Sequence, residues 1–177
     1  MNDDFASLYA YNRWADRLIL DACRNLTAEQ YGAEPVPGWS SVRSSIVHIA
    51  VVTEGWLRGV AGETVESVPT EAELATVDDA ERLLDGAYRI FEDLAPLLTP
   101  ENLSTPRTFS GRGRTAVLPP WAVLRQIVNH STYHRGQVAA KLKRLGVEPP
   151  MTDLIRWVME QMQAESQAGG EKSLRPR

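Results

Sequence analysis

The 177-residue chain predicts an all-α fold: a four-helix bundle with a short hairpin or loop before the fourth long helix and an additional C-terminal helix. Two observations carry this. Apolar residues recur at three- and four-residue spacing through long segments, the signature of helices with one buried face. Strand-like composition is confined to residues 104–120, "STPRTFSGRGRTAVLPP", where two runs rich in Thr, Phe and Val flank "SGRG".

The elements follow in order. A first helix from about Asp3 to Asn25 carries Phe5, Leu8, Asn12, Ala15, Ile19, Ala22 and Leu26 on one stripe. Thr27 to Pro37 breaks that pattern. Ser41 is a suitable N-cap for a second helix that reaches about Gly59, and the polar stretch "AGETVESVPTEAEL" then reads as a loop. A third helix opens at "DDAE", where Asp78 and Glu81 have capping-box spacing, and it continues through Leu84, Ala87, Phe91 and Leu94 until Pro96 and Pro100 close it. Pro119 and Pro120 pre-set the start of a fourth helix from about Trp121 to Leu145, which stops at Gly146. A last helix begins after Thr152 and fades near Gln163. Residues 1–163 therefore read as one domain, and 164–177, "AESQAGGEKSLRPR", as a flexible tail too poor in apolar residues to dock.

Charge and composition narrow the partners. With 43% hydrophobic and 24% charged residues, the chain is an ordinary globular one. Its 19 Lys and Arg against 23 Asp and Glu give a net charge of −4, without the concentrated basic face that nucleic acid requires. The single cysteine, Cys23, cannot form an internal disulfide, and the opening "MNDDFASLY" is acidic where a signal peptide is basic. No apolar run has the length of a bilayer span. The expected setting is cytoplasmic, with no membrane and no nucleic acid as partner.

Only three histidines occur, and two stand four apart, His130 and His134 in "NHSTYHRGQVAAKL". On a helix such residues are offset by about 40° and roughly 6 Å, which lets both rings reach one point. Leu124, Ile127, Val138 and Leu145 share their face, so both imidazoles are expected to point inward. His48, with Val51, Val52 and Trp56 at helical offsets, is also placed toward the interior. Singly, each histidine reads as a hydrogen-bonded core or groove residue. Together, three buried imidazoles are hard to satisfy by hydrogen bonds alone, and a metal ion resolves the difficulty while leaving one position open for water or substrate. Zinc is the first choice for this ligand set, and nickel and iron also accept it.

Nearby residues have plainer readings beside the functional ones. Gly136, in mid-helix, suggests a close approach to its backbone, by tight helix packing or by a ligand. Gln137 is placed to support a histidine ring or a ligand, and Arg135 to bind an anion or, more plainly, to pair with a carboxylate at the surface or a dimer rim. Asn12 interrupts the first helix's apolar face as a satisfied core residue or as a support for a histidine. Glu54, six residues past His48, lies on a different helical face from it.

The segments "YNRWADRLILDA", "SVRSSIVHIAVVTEGWL" and, above all, "HSTYHRGQVAAKLKRLG" resemble the DinB-like superfamily, and "GVEPPMTDLIRWVME" resembles the lead into that family's final helix. The likeness covers nearly the whole chain. It implies an up-down-down-up bundle, a divalent metal on His48, His130 and His134, and frequently a homodimer. Family members include transferases that join low-molecular-weight thiols such as bacillithiol or mycothiol to electrophiles, a mycothiol-dependent isomerase and metal-dependent hydrolases. The expectation is a metal-dependent transfer of a low-molecular-weight thiol to an electrophilic small molecule. The alternatives are a metal-dependent hydrolase and a non-catalytic metal-binding module, whose ion would need a fourth protein ligand.

Overall fold

A computed structural model describes the backbone of residues 2–111 and 113–173, and the side chains of 4–111 and 113–167. Four long helices dominate it: α1 (Asn2–Cys23), α3 (Val42–Val60), α4 (Val77–Leu94) and α6 (Pro120–Arg144). Two short helices, α2 (Ala28–Gly32) and α5 (Pro100–Ser104), sit between them, and α7 (Leu154–Ser173) follows. The hairpin is present as strands β1 (Arg107–Gly111) and β2 (Arg114–Leu118), antiparallel with Phe109 opposite Ala116.

Around the bundle the helices run α1, α4, α3, α6, each packing on its two neighbours in that ring. Cross-helix pairs fix the directions. Arg13 meets Asp85 and Glu92 while Arg24 meets Asp78 and Glu81, so α4 descends where α1 ascends. Tyr9 donates to the Leu124 carbonyl and Arg135 to Asp16, so α6 runs with α1. Lys141 reaches Ser45 and His130 reaches His48, so α3 runs against α6. The topology is up-down-down-up.

The core takes Phe5, Tyr9 and Ile19 from α1, Ile46, Ile49 and Leu57 from α3, Leu84, Ala87 and Phe91 from α4, and Leu124, Ile127 and Leu142 from α6. Tyr9 and Phe91 stack face to face with ring centroids 3.8 Å apart. Such a core supplies most of the stability of a bundle, because each large aliphatic side chain removed from water contributes about 1.5–3 kcal/mol.

Helix ends follow local chemistry, with corrections to the sequence reading. Ser41 caps α3 as expected, its hydroxyl accepting from the Ser44 amide at 2.9 Å. The cap of α4 is Thr76 with Asp79, not the Asp78 and Glu81 pair: the Asp79 amide donates to the Thr76 hydroxyl and the Thr76 amide to the Asp79 carboxylate. Asp78 and Glu81 instead hold Arg24. The break after α1 contains α2, closed by a reciprocal Thr27 and Gln30 box. Pro100, assigned as a stop, opens α5. Gly146, at φ +80°, ends α6 where expected. Helix α7 extends to Ser173, ten residues beyond the predicted end, through the Gly169 and Gly170 pair and without an apolar stripe in the added stretch. Of the segment read as a flexible tail, residues 174–177 lie outside the described residues.

Candidate metal centre

His48 comes from the middle of α3, and His130 and His134 come from the facing stretch of α6. Because the two helices pack directly against each other, one ring meets the two that are stacked a turn apart. One ring nitrogen from each lies within 4.8 Å of the others. The Nε2 atoms of His48 and His130 are 3.1 Å apart, and the ring centroids are 4.3–4.9 Å apart. Nitrogens bound to one tetrahedral cation at about 2.0–2.1 Å stand roughly 3.3 Å from one another, so this cluster has the spacing of a metal ligand set.

Hydrogen bonding defines the donor atoms. His134 donates from Nδ1 to the Gln137 carboxamide oxygen at 2.9 Å, which leaves its Nε2 lone pair free. The Nδ1 atom of His130 is buried and has no hydrogen-bond partner. Burial, then the nearby His134, lowers the basicity of His48; burial, then His134 and His48, takes His130 down to about 4. Both rings are therefore neutral at pH 7, the form a metal ion requires. Three converging imidazoles, two of them held neutral and one with an orphaned nitrogen, are poorly served by hydrogen bonds and well served by a cation, so the residues fit one. No cysteine, aspartate or glutamate joins this group among the described residues. Glu54 pairs with Arg58 instead, and burial pushes the Cys23 thiol to about 12.

The histidines do not point into the core as the apolar stripe suggested. His48 is exposed, and His130 and His134 are half-buried at the edge of the groove between α3 and α6. The buried face of α6 is turned by one residue, through Leu124, Ile127, Ser131, Arg135, Val138 and Leu142. One helical residue is a rotation of 100°, enough to move a ring from the interior to the rim.

The fold has counterparts in known proteins. The model of the DinB family matches residues 1–167. The chain belongs to the DinB family. Protein DinB of Bacillus subtilis (strain 168) is 29% identical over 164 residues, covering 86% of this chain and 92% of its own length. A DinB-like protein from Bacillus cereus ATCC 10987 has a solved structure similar at a TM-score of 0.67, with 22% identity over 84% of this chain and 95% of that one. A second, from Exiguobacterium sibiricum 255-15, gives 0.57 with 22% identity, covering 85% and 96%. At that identity the two structures show a shared fold.

Two features of this DinB family member were not anticipated. Arg135, expected at the surface, is only 1% exposed and donates to Asn12 and Asp16 at 2.7 Å and to Thr132 at 2.8 Å. Tyr88 completes the set by donating to Asp16 at 2.5 Å and accepting from Asn12. Asn12 is thus a satisfied core residue that touches no histidine. The sequence signal for the network was Asp16, one turn beyond Asn12 on α1. Lys141, also missed, donates to Ser40, the Ser41 carbonyl and Ser45 at 2.6–3.1 Å, tying the end of α6 to the start of α3. The Lys141 tie sets the register of α6 against α3, the two helices that carry the rings, while the Arg135 network fixes α6 against α1 and α4. Gly136, by contrast, has nothing within 4 Å of where a Cβ would stand, so no packing requires it.

Proposed function

We propose that His48, His130 and His134 hold a divalent cation, zinc first and nickel or iron next, and that the protein transfers a low-molecular-weight thiol to an electrophilic small molecule. The observation that supports this is the convergence of three imidazoles with no fourth protein ligand among the described residues. A cation in that position supplies Lewis acidity, which lowers the pKa of a thiol or water at its open site. The chain's own residues do the positioning. Gln137 fixes the tautomer of His134 through its Nδ1 proton. The half-buried groove excludes bulk water from one side of the cluster and leaves the other open through the exposed His48.

The absent fourth ligand also separates this reading from a closed structural site, which would fill the coordination sphere with protein groups. Exposed Leu154, Ile155, Met159 and Met162 line one side of α7, and we place a second copy of the chain there, as a homodimer. Screening the metal-loaded protein with several small thiols and a generic electrophile tests the activity. Thiol-dependent turnover that disappears with the metal is the expected result. Hydrolysis of an ester or amide with every thiol inactive would instead make the protein a hydrolase.

A further inference from the structure

The face of α3 that carries His48 continues through Val52, Gly55 and Gly59, at successive steps of four, three and four residues. Beside that stripe lies a cleft of about 580 Å³, within the range of small-molecule sites. Its lining includes Val52, a single helical turn or about 6 Å along the axis from His48. Trp56 and Phe109, in edge contact with centroids 5.8 Å apart, form one wall, and Val65 and Val68 from the loop after α3 form another.

The cleft is built rather than incidental. Gly59 gives Phe109 room to lie against α3, since a Cβ there would stand 3.1 Å from its ring. Gly111 lets the hairpin press on the loop, where a Cβ would be 2.6 Å from the Val65 carbonyl oxygen. The Val65 amide donates to the Ser110 carbonyl and secures the joint. Gly55 differs: its nearest neighbour would be a Val65 methyl at 4.0 Å, so it opens the lumen. The lining is apolar apart from Ser110, Thr115 and a single charged side chain, Arg114. No described carboxylate pairs with Arg114, whereas nine other arginines carry such partners.

We propose that this cleft binds the apolar body of a small carboxylate-bearing molecule, with Arg114 as the residue that selects the carboxylate, and that it presents this molecule beside the three histidines as the electrophilic substrate. The proposal rests on the metal-dependent reading for its second half only. An apolar wall gains by covering hydrocarbon, and an unpaired guanidinium is a bidentate receptor for a carboxylate. The hairpin thereby becomes the specificity element.

Titration calorimetry on the full chain, with metal and again after chelation, tests the site with octanoate and 1-octanol as probes. Octanoate is expected to bind at least about tenfold more tightly than octanol. Arg114→Gln should remove that difference by weakening octanoate alone, and Gly55→Leu should weaken both probes about tenfold or more. Ala116→Leu fills the cleft from the hairpin side, so the blocking test stands even if the α3 substitution unfolds the chain. Equal affinity for the two probes, or octanoate binding untouched by Arg114→Gln and by either filling variant, would overturn the proposal. Octanoate binding with no thiol-dependent turnover would refute the transferase reading and keep this one; turnover with binding insensitive to Arg114 would do the reverse.

Discussion

Gln137 and Asp16 show how single side chains set the chemistry of this site and the stability behind it. Gln137 holds the proton of His134 on Nδ1, so Gln137→Ala should weaken metal affinity by about 10- to 100-fold with little change in fold, as read by competition with a chromophoric chelator. Asp16→Ala leaves the Arg135 guanidinium buried without its carboxylate, a loss of about 3–5 kcal/mol in urea unfolding. The depressed basicity of His130 and His48 has a defined sign in pH. Their folded-state values lie below the free value, so the unfolded chain binds more protons between pH 6.5 and about 4. Stability of the metal-free protein should be full above pH 6.5 and fall as the pH drops through that window. Thermal melts at several pH values check this, and a flat profile would contradict it. The histidine pair was legible because spacing of four is a direct chelation signal. The inward orientation was misread because Arg135, a charged residue, was discounted as a core position that Asp16, Asn12 and Tyr88 in fact satisfy.

At the scale of elements, the two glycines of contrasting surroundings make the sharpest pair. Gly136→Ala should stabilise the protein by about 1 kcal/mol, because the helix gains propensity and a Cβ meets nothing within 4 Å. Gly111→Ala should destabilise it, since its Cβ would collide with the Val65 carbonyl oxygen, and paired denaturant melts on both variants compare the two effects. The long helices, the hairpin and the Ser41 cap could be read from apolar period and turn residues. The α4 cap could not be placed, because "TVDDAE" offers two overlapping boxes and only the extended backbone at Thr76 selects one. The short α2 and α5 escaped notice since five residues hold too little periodicity, although the Thr27 to Gln30 and Thr99 to Asn102 boxes marked their starts.

For the whole molecule, the ring order of helices is what makes the site: α3 and α6 pack directly, in a register that brings residue 48 to residues 130 and 134. Sequence periodicity supplies the helices and not their neighbours, so this crossing was carried by family resemblance rather than by pattern. No described helix is long and apolar enough to cross a membrane. The α7 face predicts self-association: sedimentation should give a dimer, and Ile155→Glu with Met159→Glu should give a monomer. The central claim is tested most directly by elemental analysis of the purified chain beside its His48→Ala, His130→Ala and His134→Ala variants, each checked for helicity. One divalent cation per wild-type chain, and next to none in every folded variant, is the predicted result. A wild-type chain that takes up no cation, or any variant that keeps a full equivalent, would contradict it.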